Sequence, residues 1–157
     1  MGYDGLKVDR ASFHLGMINC FAEMVAMGVK RLALSPPLTP LEYEAIREVS
    51  DAIARGSDIQ SFLERALLIT HLQSPDFTRG KWSILYFKDP EVLEEYLALK
   101  ERRNSLVDAG ALAPEDQEEI SRAFMRLLSY PEKVIEEKIE GGGDATPFVL
   151  EWKEPAK

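Results

Sequence analysis

Polar residues that interrupt apolar helical stripes are the first sign of chemistry in this chain. Between Phe13 and Val29 the only side chain charged at neutral pH is Glu23, and Asn19 lies one helical turn before it on the same face. A later segment shows the complementary irregularity. Val92, Tyr96, Leu99 and Leu106 form a heptad-like stripe with Arg103 at the missing step, and the neighbouring stripe of Leu93, Leu97 and Val107 is broken by Lys100 and Asn104. A carboxylate on one buried helix and cations on another are natural partners, because an isolated charge is expensive in an apolar interior. The expectation is that Glu23 meets Arg103 or Lys100, with Asn19 and Asn104 completing the hydrogen bonds. That cluster reads either as a structural ion pair or as a pocket. In the pocket, Lys100 and Arg103 receive a carboxylate or phosphate and Glu23 orients it.

A second, weaker candidate is Arg79-Gly80-Lys81-Trp82, two cations around a glycine and beside an aromatic ring. Such a loop can hold an anion or stack a base, and it can equally be an ordinary turn before a strand.

Other chemistries find no support in the residue pattern. His14 and His71 fall on separate segments with no cysteine or histidine at ligand spacing, so no metal site is expected. Met17, Met24 and Met27 recur at helical spacing, which is the pattern of a core stripe rather than of a copper site. Cys20 has no basic neighbour one turn away to lower its pKa. No serine sits in a nucleophile elbow, and no glycine-rich phosphate loop occurs; Gly141-Gly142-Gly143 lies in the wrong context for one. No cofactor is expected.

Composition narrows the classes further. The chain has 157 residues, a formal charge of -8, 45% hydrophobic and 29% charged residues, a normal globular balance. Acidity is concentrated late: residues 1–103 carry 13 basic against 15 acidic side chains, residues 104–157 carry 6 against 12. This argues against a nucleic-acid partner, since such proteins concentrate Lys and Arg to displace phosphate counterions. A single cysteine fits a reducing compartment, no charged segment followed by an apolar run opens the chain, and the most apolar helix is short for a bilayer. The reading is a cytoplasmic protein without a membrane partner.

The elements that must position these residues follow from caps and periodicity. A first helix over about residues 12–30 is apolar on nearly every side and is expected at the centre of a bundle. Thr39-Pro40 with Glu42 starts a second helix that Gly56 ends. Ser57 with Gln60 repeats the capping-box spacing and predicts a third helix over about 57–72. Residues 82–87, rich in aromatic and β-branched types, predict a strand. Asp89-Pro90-Glu91 opens a fourth helix, Pro114 a fifth with Ile120, Ala123, Phe124, Leu127 and Leu128 on one face, and Pro131 a sixth. The triple glycine reads as a hinge, and the apolar stretch over residues 147–152 as an extended segment that docks on its own chain or on a second copy.

The expected fold is mainly α: a five- to six-helix bundle with one or two short strands at about 82–87 and 147–152. Residues 1–140 would form the helical domain and 141–157 the hinge and tail. In function, the absence of catalytic geometry favours a non-enzymatic interaction or regulatory protein, a homo-oligomer that uses an apolar helix face or the terminal strand. The alternative is a binding protein or enzyme for a small anionic ligand, with its pocket between helices one and four.

Overall fold

The computed structural model describes residues 7–141. Within them the chain is mainly helical around a small sheet, in the order α1 (Arg10–Ala26), β1 (Leu32–Leu34), α2 (Pro40–Gly56), β2 (Gln60–Glu64), α3 (Pro75–Thr78), β3 (Ser83–Phe87), α4 (Pro90–Asp108), α5 (Pro114–Leu127) and α6 (Glu132–Glu140). The sheet is antiparallel in the order β1-β3-β2, with Leu34 and Phe62 both opposite Leu85.

Every residue of β3 is buried, as a central strand covered on both faces requires. Alternate side chains leave it in opposite directions. Ile84 and Tyr86 join a core with Ile18, Ala22 and Val25 of α1 and Ile46 and Ala54 of α2. Leu85 and Phe87 join the other core, with Val92 and Tyr96 of α4, Ile120 and Phe124 of α5 and Ile135 of α6. The sheet therefore separates two helical layers. A hydroxyl pair, Ser50 Oγ and Tyr86 Oη at 2.7 Å, satisfies the one polar end that β3 pushes into the α1–α2 layer.

Caps placed the helices as expected. Thr39 and Glu42 form the reciprocal capping box at the start of α2, and prolines occupy the first turns of α2, α4 and α5. The expected strand at 82–87 is β3, while the stretch at 147–152 lies outside the described residues.

Two expectations are corrected and one strand is added. The helix over 57–72 does not form: Asp58 takes a left-handed backbone (φ 55°) just past α2, and residues 60–64 pair with β3 instead. Ladder hydrogen bonds to a buried strand outweigh a local capping pattern. The three residues of β1 are a strand that local pattern did not reveal. Where Pro36 and Pro37 then take the chain off that edge, the Ser35 hydroxyl accepts the hydrogen bond of the Ile84 N–H at 2.8 Å. Finally, α1 is not central. It buries His14, Ile18, Ala22 and Val25 against the sheet and α2, while Phe13, Met24 and Met27 face outward, Met27 being 75% exposed.

Candidate functional site

The position of α1 decides the expected cluster. Asn19 and Glu23 are exposed on α1, on one side of the sheet; Lys100 and Arg103 are half-buried on α4, on the other, and Asn104 is exposed. With β3 between the two helices, Glu23 forms no ion pair with either cation, and each cation has a different partner.

Lys100 meets Glu64, the last residue of β2. Its Nζ lies 2.8 Å from both carboxylate oxygens, and Tyr96, one turn before it on α4, donates its hydroxyl to Glu64 Oε2 at 2.8 Å. The Ala66 N–H donates to Oε1 and the Leu68 N–H donates to the Tyr96 oxygen, so this carboxylate is buried but fully satisfied. Burial pushes the Tyr96 hydroxyl pKa far up, and the Glu64 charge beside it adds to the effect. The arrangement ties the end of β2 to α4. Pattern reading missed Glu64, because its inward position appears only once residues 60–64 are known to be a strand with period two.

The second candidate loop is also engaged locally. Arg79 pairs with Asp76 at 3.1 Å, the Lys81 ammonium lies 5.0 Å from the Phe77 ring, and Trp82 is packed by Tyr43 and covered by the Arg65 guanidinium at 5.0 Å. Arg79, Lys81 and Trp82 thus form the turn into β3, with Gly80 supplying its left-handed residue (φ 69°).

Arg103 is different. Its Nε donates to Gln117 Oε1 of α5 at 2.8 Å, and no acid pairs with it among the described residues. Gln117 is itself fixed, since its Nε2 donates to the Ile69 carbonyl at 2.9 Å. The guanidinium is therefore held by an amide on one edge, with its two terminal nitrogens left for something else. It borders a cleft of about 380 Å³ formed by residues 69–71, 73–75, Arg103, Leu112 and Gln117. Leu68 and Leu72, both buried in the core, anchor the loop that makes the far wall.

Two further groups give the cleft polarity. Ser121 Oγ accepts from the His71 N–H at 3.1 Å and lies 2.8 Å from His71 Nδ1. Ser121 Oγ also takes a longer hydrogen bond from Gln117 Nε2 at 3.4 Å, so with both lone pairs engaged its own proton is what it has left to offer Nδ1, an arrangement that goes with a neutral His71 protonated on Nε2. Ser121 is 0% exposed, so this pair orients a histidine and does not present a nucleophile. Gln73 Oε1 is buried with no hydrogen-bond partner among the described residues. An enclosed polar atom left unpaired is costly.

No protein-family model, curated protein or solved structure matches the chain. The chemistry of the cleft has to be read from its own atoms. A fixed guanidinium with a free edge recognises a planar anion, and a carboxylate fits that edge with two parallel N–H···O bonds. Groups of three or more histidine, cysteine or acidic side chains able to hold a metal do not occur among the described residues.

One surface lies apart from the cleft. Phe13, Met17, Cys20 and Met24 of α1, with Met27 at its C-cap, are spaced 4, 3, 4 and 3 residues apart and line the face more than a third of a turn away from the buried one. Met17 is half-buried and the others are exposed. Asn19 and Glu23 border this stripe.

Proposed function

We propose that the protein binds a small carboxylate in the cleft between the 69–75 loop, α4 and α5. The observation that carries this reading is Arg103: a half-buried cation, held in place by Gln117, with no acid paired to it among the described residues. Such a cation keeps a cost that an incoming anion removes. The apolar walls, Ile69, Pro75 and Leu112, suit a ligand with a short hydrocarbon body. Titration with butyrate while following thermal unfolding tests this. A ligand at a hundred times its dissociation constant adds about 2.7 kcal/mol of stability. The effect should vanish in Arg103→Met, which keeps the stem and loses the charge. An unchanged midpoint across carboxylates and inorganic phosphate would refute the reading.

A second reading has its own observation, the exposed stripe of α1. Alternating spacings of four and three residues are the seam of a coiled coil, and a seam on one helix is complementary to itself in a two-fold pair. On this reading the chain is a homodimer acting through α1, an interaction protein with no catalytic step. Light scattering should give twice the chain mass for the parent and the chain mass for Met24→Glu combined with Met27→Glu. A parent protein that is monomeric at high concentration would end this second reading and leave the first untouched.

A further inference from the structure

The outer face of α1 has a candidate occupant within reach on the same chain, and two half-buried lysines mark the way to it. Lys30, just past α1, holds its ammonium 6.0 Å from the Phe21 ring and 5.4 Å from the Tyr130 ring. Lys138, near the end of α6, approaches the same tyrosine at 5.5 Å. Tyr130 thus links the end of α6 to the C-terminal half of α1. Lys30 donates to the Leu128 carbonyl at 2.9 Å, and no acid pairs with either lysine among the described residues. Burial alone pushes the Lys30 pKa down, the mark of a cation without a compensating charge.

The sequence that continues from Gly141 suits both features. Asp144 is its first charged residue, and Pro147-Phe148-Val149-Leu150-Glu151-Trp152 has a single charge among apolar side chains. Residues 142–146 reach up to about 17 Å, enough to carry Pro147 past Tyr130 to α1. The stripe from Phe13 to Met27 rises about 21 Å, and six residues reach up to about 20 Å. Methionine is unbranched and its sulfur is polarizable, so Met17, Met24 and Met27 can close around the rings of Phe148 and Trp152. A second copy competes for the same face. A segment tethered by so few residues meets that face at a local concentration on the order of 1 mM, which a separate copy in dilute solution does not match.

We propose that residues 147–152 dock on the exposed stripe of α1 of their own chain, with Asp144 drawn to Lys30 and Lys138. This goes beyond the carboxylate reading and is independent of it. On α1 it excludes the homodimer, whose seam it covers.

Tryptophan fluorescence of the full chain tests the proposal. Trp82→Phe leaves Trp152 as the one tryptophan; the parent spectrum minus that of Trp152→Phe gives the same reading if Trp82→Phe does not fold. Trp152 emission should be blue-shifted and weakly quenched by acrylamide, unchanged between about 1 and 100 μM protein, with one chain mass by light scattering. Met24→Glu combined with Met27→Glu should move the emission to that of the chain in concentrated urea, and Asp144→Asn should move it part of the way. Red-shifted, freely quenched emission without these substitutions would overturn the proposal. So would blue-shifted emission that either set of substitutions leaves unchanged, since the segment would then sit elsewhere. A blue shift lost on dilution, as a particle of twice the chain mass dissociates, would overturn it too and give the stripe to a second copy. None of these results touches the carboxylate reading, which the butyrate titration decides.

Discussion

Lys100 and Arg103 stand less than one turn apart on α4 and both interrupt apolar stripes, yet the structure uses them differently. Lys100 neutralises Glu64, whose side chain is only 6% exposed, while its own is 25% exposed. Removing one member of such a pair leaves a buried charge, so Lys100→Met should lower stability by about 3 kcal/mol. Adding Glu64→Gln, which can still accept from Tyr96, should recover part of the loss; a double variant no more stable than Lys100→Met in urea unfolding would contradict this account. His14 makes a pH prediction. Burial is the main cause holding its pKa below the ordinary 6.5; Glu42 opposes this and Arg10 reinforces it. Below that pH the unfolded chain takes up a proton that the folded ring resists. The stability contribution is thus full above 6.5 and is lost as pH falls from there through the folded value. Urea midpoints between about pH 7 and pH 5 should fall more steeply for the parent than for His14→Leu. Parallel decline in the two proteins would remove His14 as the cause.

At the level of elements, caps were the most legible part of the sequence. The Thr39–Glu42 box and the prolines at 40, 90 and 114 mark helix starts by local chemistry alone, and the structure has helices there. Thr39→Ala should cost about 1 kcal/mol, read from thermal or urea unfolding. The strands β1 and β2 were not legible, because β1 has three residues, β2 lacks the aromatic and β-branched run that marks β3, and their stabilisation comes from pairing with β3, far along the chain. The same Ser57–Gln60 spacing that would cap a helix sits instead in the turn into β2, where Asp58 holds a left-handed backbone. Asp58→Gly should therefore stabilise by up to about 1 kcal/mol, an effect visible as a raised urea midpoint and excluded by a lowered one. This failure also hid most of the site. Arg103 stood out as a break in a stripe, whereas His71 and Gln73 lie in the irregular segment after β2, and no spacing rule could attach them to α4. Glu23 misled because α1 is apolar on two faces, and only one of them is buried.

At the scale of the molecule, the mainly helical class was legible and the layering was not. Helical periodicity describes how each helix is greasy, not what lies between helices, and here a sheet separates the pair expected to touch. No helix among the described residues is long and apolar enough to cross a membrane. The strand β3 has a consequence for how the fold comes apart. It is the shared wall of both cores and, among the described residues, the only strand bonded to two others. Neither helical layer can open without stripping one side of it, so the two halves should lose structure together rather than in stages. Amide hydrogens of Leu85 and Phe87 should then exchange at the global unfolding rate, as should those of Ile18 in one layer and Phe124 in the other. Calorimetry should give a van't Hoff enthalpy equal to the measured one. Two separate transitions would show that the wall is weaker than its burial implies. A ligand closing the cleft on the α4–α5 side would, by the same coupling, slow exchange in α1 across the sheet.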